Sequence, residues 1–130
     1  MNCACVAVDI DDYVDLISKT KPVARTEHAC HECRRRIRPG EQYEVQKYVS
    51  EGAFETHKTC SECVDIRDMF FCDGYRYGAI FSDFEDDLID AGCELPESCI
   101  AELSPKVQDI VCEIIEECWR LLMASRMRRT

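Results

Sequence analysis

The chain is short of positive charge, of backbone breakers and of long apolar runs. Sixteen Lys and Arg stand against 26 Asp and Glu, giving the 130 residues a formal charge of −10. Duplex nucleic acid is repelled by such a molecule as a whole, whatever a local patch does. Five Gly and four Pro are too few for a low-complexity chain, and 46% hydrophobic residues suffice for one compact core, so disorder is not expected. No apolar run approaches the length of a bilayer span. Met1 to Asp12 has neither a basic start nor a secretory apolar core, so a cytoplasmic protein is expected.

Cysteine is plentiful by contrast, and its count of eleven forbids complete internal pairing. In a reducing compartment metal binding is a better expectation than disulfides. The charge is unevenly spread. Residues 83–118 hold twelve acids and the single base Lys106, whereas 22–58 hold seven bases and six acids.

Three stretches follow. Residues 1–22 form an N-terminal arm with Cys3-Ala4-Cys5 and an acidic stretch, Asp9 to Asp15, expected to start a helix through Leu16 and Ile17 before Pro22 closes it. Residues 23–74 collect two CxxC pairs and the histidines. Alternation over Gln42 to Tyr48 and Ala53 to His57, either side of Ser50-Glu51-Gly52, predicts a hairpin. Thr59 followed by Glu62 reads as a capping box, opening a helix from about Cys60 to Phe71 that Asp73-Gly74 ends. Residues 75–130 are expected to be a helical extension packed on that module. Its helices are Ile80 to Ala91, with Gly92 as C-terminal cap, a short one over Pro96 to Leu103, and a long one capped by Ser104 and begun by Pro105. In the last, Val107, Val111, Ile114, Cys118 and Leu121 form a stripe, which Ile110, Ile115, Trp119 and Leu122 widen.

The chemistry sits in Cys30-x2-Cys33, 26 residues, then Cys60-x2-Cys63. Two residues between cysteines let both sulfurs reach one ion at about 2.3 Å, and two such pairs fill a tetrahedral Zn²⁺ site with no position for water. Cys60 and Cys63 fall on a helix start, where free N–H groups and the helix dipole favour thiolates. His57, His28 and His31 are the runner-up ligands. One zinc ion is expected. A second site on Cys3 and Cys5, with Cys72, Cys93 or Cys99 as partners, competes with the simpler reading that these thiols pack in the core, as Cys112 and Cys118 do on the last helix.

The order of knuckle, hairpin and ligand-bearing helix resembles a treble-clef zinc finger, and Cys30 to Glu41 resembles the knuckle of LIM-type modules. His28 to Cys63, with its "IRPGEQYE" and "GAFETHKTC" segments, is similar to small zinc-binding proteins encoded by bacteriophages and prophages, a likeness that extends over roughly Cys3 to Gly78. The family brings no settled activity. It implies an α+β fold, one structural zinc and a bacterial host cytoplasm.

An enzyme needs a nucleophile with its base, an open metal position or paired carboxylates in a pocket, and the sequence offers no such set. Treble-clef nucleases place a catalytic His near the end of the first hairpin strand, where this chain reads Tyr43-Glu44-Val45-Gln46-Lys47-Tyr48. The expected function is therefore a non-enzymatic protein-interaction module acting on a host protein. The competing reading is a nucleic-acid-binding regulator using Arg34, Arg35, Arg36 and Arg38. The wide stripe of the last helix adds the expectation of a homodimer. Tyr75, Tyr77, Phe81 and Phe84 read as an apolar bridge, and Asp83, Glu85, Asp86, Asp87 and Asp90 as a solvated helix face.

Overall fold

A computed structural model describes Val6, residues 15–72 and residues 74–127. The fold is mixed α+β, with two small antiparallel sheets and four helices among the described residues. Strand β1 (Asp15–Thr20) pairs with β4 (Tyr43–Ser50), which pairs with β5 (Ala53–Cys60); β2 (His28–Ala29) and β3 (Arg36–Ile37) form a separate two-stranded unit.

The hairpin matches its alternation. Val49 faces Phe54 and Tyr43 faces Cys60 across the ladder, with Glu51 and Gly52 turning the chain at φ 51° and 79°. Two positive φ values in a two-residue loop give the turn whose twist suits the flanking strands. The expected helix through Leu16 and Ile17 is corrected: Asp15 to Thr20 is strand β1, with Leu16 opposite Tyr48 and a bulge before Ser18. Leu16 and Ile17 are half exposed, so ladder hydrogen bonds to β4, not burial of an apolar face, hold them extended.

Helix α1 (Ser61–Phe70) begins after Cys60, which is still extended at φ −68° and ψ 160°. The expected capping box is absent: no side chain caps the helix, Thr59 remains in β5, and its buried hydroxyl has no partner among the described residues. Helices α2 (Ile80–Asp90), α3 (Glu97–Ala101) and α4 (Pro105–Met127) follow the expected course, with Gly92 left-handed just past α2. In α4, Val107, Val111, Ile114 and Cys118 are buried, while Leu121 is 51% exposed. No helix among the described residues is long and apolar enough to cross a membrane.

Two hydrophobic clusters result. The larger joins α1 through Ile66 and Phe70 to Phe84 and Leu88 of α2 and to the buried stripe of α4. The smaller surrounds the sulfurs and consists of Ala24, Cys30, Ile37, Tyr43, Cys60 and Cys63. Of the four aromatics expected to bridge them, Phe81 alone packs on both; Tyr75 and Phe84 belong to the larger cluster, and Tyr77, in neither, stacks on Tyr48 and donates to Gln46.

Cysteine chemistry outside the CxxC pairs departs from expectation. Cys93 and Cys118 form a disulfide within the larger cluster, and Cys72 and Cys99 are disulfide-bonded as well. The core reading of Cys118 holds for its burial but not for a free thiol. Cys72, Cys93 and Cys99 are therefore not ligands of a second metal; Cys3 and Cys5 lie outside the described residues. Cys112 is exposed rather than packed. The pairing is a product of the fold: α4 brings Cys118 back against the residue that follows the left-handed end of α2, across 25 positions of sequence.

Candidate metal centre

The chain reaches the site along two routes. After the Val23–Gln42 bridge the chain enters the β2–β3 unit, whose tight turn carries Cys30 and Cys33. Arg34 closes that turn at φ 67°, its N–H donating to the Cys30 carbonyl at 3.0 Å. The second route is β5, which delivers Cys60 at its last residue and Cys63 in the first turn of α1. His31 stitches the routes together: its N–H donates to the Lys58 carbonyl at 2.8 Å, and its Nδ1 accepts from the Lys58 N–H at 3.0 Å.

Cys30, Cys33, Cys60 and Cys63 converge, with their four sulfurs all within 4.8 Å of one another. Cys30 Sγ lies 3.9 Å from Cys63 Sγ, and Cys33 Sγ lies 3.7 Å from Cys60 Sγ. A tetrahedral ion with metal–sulfur bonds of about 2.3 Å needs sulfur–sulfur edges of roughly 3.8 Å. These residues thus fit such an ion, and all but Cys33 are buried. The backbone N–H groups of Glu32 and Cys60 point at Cys30 Sγ from 3.4 and 3.3 Å, an arrangement that favours a thiolate.

The thiols also perturb one another. Cys30 is driven well below the ordinary thiol range by hydrogen bonds from Cys33, Cys60 and Cys63, while the bond with Cys30 pushes Cys60 and Cys63 upward. Four packed thiols cannot all ionise without a cation among them. A metal ion supplies that cation and would hold all four as thiolates.

Supporting groups surround the sulfurs. Glu32, buried between the two knuckle cysteines, takes an N–H from Gly78 at 2.7 Å and one from Ile80 at 3.2 Å, and meets His57 Nε2 at 2.6 Å. The sequence gives Glu32 no role beyond membership of the knuckle; its position inside the CxxC pair is the available signal. Glu62 lies 2.7 Å from Arg35 and 2.8 Å from Lys106, tying α1 to the knuckle and to α4. Burial would raise the Glu62 carboxyl, but Lys106 and Arg35 hold it down to about 2. On the far side of α1, Arg67 grips Glu44 of β4 through two bonds of 2.5 and 2.8 Å. Both side chains are almost fully buried.

The histidines have other partners and stand outside the sulfur cluster. His57 is buried against Glu32, His28 stacks on Tyr43, and His31 bonds β5. The arginine run is not a free basic face either: Arg35 pairs with Glu41 and Glu62, and Arg36 with Glu27. Nor is the α2 acid run all solvated, since Asp83 is buried against Arg76. Compared with protein-family models, curated proteins and solved structures, the chain matches none.

Proposed function

We propose that the chain is a non-enzymatic protein-interaction module of treble-clef type, built round one structural Zn²⁺ on Cys30, Cys33, Cys60 and Cys63. One observation carries the reading: the sulfurs meet at tetrahedral spacing where the knuckle touches the start of α1. Four thiolates would fill the tetrahedral shell of such an ion and leave no position for water or substrate, so it serves folding and not turnover. Zinc suits four thiolates in a tetrahedron because it imposes no geometry of its own.

The recognition surface is the acidic helical half, where Asp86, Asp90, Glu113, Glu116 and Glu117 are exposed. Its natural partner is a basic protein. The likeness to phage-encoded zinc proteins makes a bacterial host protein the class we assign. Exposed Trp119, Leu121 and Met123 on α4 support self-association as well, which light scattering would register as a dimer mass. Direct nucleic-acid binding by Arg34 to Arg38 is the weaker reading, because Arg35 and Arg36 are engaged with carboxylates.

Metal analysis and capture from bacterial lysate test the proposal together. One zinc per chain is expected, with basic proteins retained by the native chain and lost from a Glu113→Lys/Glu116→Lys variant of unchanged zinc content. A folded, metal-free protein overturns the reading. So does retention of nucleic acid that weakens steeply with salt and disappears in Arg34→Ala.

A further inference from the structure

Beside the sulfurs, between α2 and α4, the surface opens into a cavity of about 440 Å³, within the range that holds small ligands or a buried side chain. Phe81, Ile110 and Ile114 give it apolar walls, and Cys33, Cys60 and Cys63 close one end. Glu85, Glu113 and Glu117 add carboxylates, with Arg35 and Glu62 at the sulfur end. Arg35 spends its charge on Glu41 and Glu62, and Glu117 is paired with Arg120. Glu85 and Glu113 have no cation beside them among the described residues. A divalent ion held by four thiolates would add a net charge of about −2 at the sulfur end.

The cavity therefore has apolar walls and more carboxylates than cations in its lining, Glu62, Glu85, Glu113 and Glu117 against Arg35. We infer that it receives an arginine side chain of the partner protein, the aliphatic stem against Ile110 and Ile114 and the guanidinium between Glu85 and Glu113. Arginine fits better than lysine for two reasons. Its planar head can lie on the Phe81 ring, and its fork of donors can serve two carboxylates at once, where an ammonium is a compact and strongly hydrated point charge. A neutral apolar residue would leave both carboxylates to be desolvated without a partner. The assignment rests on the interaction-module reading and names the chemistry of its contact.

The test uses the zinc-loaded full chain and N-acetyl-arginine amide, followed by amide chemical shifts. Weak binding is expected, with shifts confined to residues around Phe81, Glu85, Ile110 and Glu113. N-acetyl-citrulline amide, which keeps the shape and loses the charge, should bind at least ten-fold more weakly, as should the arginine probe with a Glu85→Gln/Glu113→Gln variant. Arg36→Ala, away from the cavity, should change nothing. Equal binding of arginine and citrulline, equal binding of N-acetyl-lysine amide, or an unaffected double variant overturns the inference. Capture of a basic protein that survives Glu85→Gln/Glu113→Gln sinks the pocket alone. Specific arginine binding by a chain that retains no protein leaves the pocket standing and removes the interaction-module reading.

Discussion

The two hydrophobic clusters solve the same problem by different means. Among the described residues six buried ones gather around the sulfurs, three of them cysteines of the candidate site, with Ile37 and Tyr43 as the sizeable apolar groups. So little apolar surface cannot offset the entropy of ordering two knuckle strands and a hairpin. The helical cluster buries thirteen residues, among them three Phe, three Ile and two Leu, and adds the Cys93–Cys118 disulfide. One region has four sulfurs placed to hold an ion, the other relies on apolar burial. The difference teaches that metal dependence here should be regional.

Removing the metal breaks the comparison most strongly. Chelation, or Cys63→Ser, should abolish the ordered knuckle and hairpin, because structural ions in such sites supply on the order of 10 kcal/mol. Helical circular dichroism from α2 and α4 should largely persist while β4 and β5 amides lose their hydrogen-exchange protection. Simultaneous loss of both signals would show one cooperative unit instead of two.

Next in size is the pair that fastens α1 to the sheet. Arg67→Ala strands the Glu44 carboxylate in a buried position and should cost about 3–5 kcal/mol in denaturant unfolding. In the helical cluster, Leu88→Ala should cost roughly 2–5 kcal/mol by leaving a cavity. Its effect should appear equally in metal-loaded and metal-stripped protein, whereas that of Arg67→Ala should shrink once the sheet is lost.

Acid sharpens the same contrast. Burial raises the Glu44 carboxyl, but the Arg67 and Gln46 hydrogen bonds prevail and bring it from 4.5 to about 2. A depressed folded value means that the ionised carboxylate contributes fully above about pH 4.5 and that the contribution drains away as pH falls toward 2. The stability gap between native and Glu44→Gln protein should narrow across that window. A gap that stays constant would mean that Glu44 is not ionised against Arg67. The smallest effect is expected at the knuckle, where Arg34→Gly relieves a left-handed non-glycine residue and should raise thermal stability by no more than about 1 kcal/mol.

The candidate metal site was legible because such chemistry fixes its spacing: two CxxC pairs say nearly the same thing in any fold that brings them together. The hairpin and α4 were legible because alternation, Gly52, Ser104 and Pro105 act locally. What sequence did not disclose was set by distant partners. Strand β1 has no clean alternation and is extended only because β4 offers it a ladder. Arg67 and Glu44 look like ordinary surface charges until α1 is laid on the sheet. Thr59 and Glu62 had the letters of a cap, but β5 continues to Cys60 and keeps Thr59 extended. The Cys93–Cys118 bond likewise depends on how α4 returns past α2.

Helix α1 holds Cys63 at one end and Ile66 and Phe70 further along. Its ten residues make a stiff rod of about 15 Å. A tilt imposed at the sulfurs would swing Phe70 like the far arm of a seesaw, so the interior beneath α2 would register whether the clasp at the opposite end is shut.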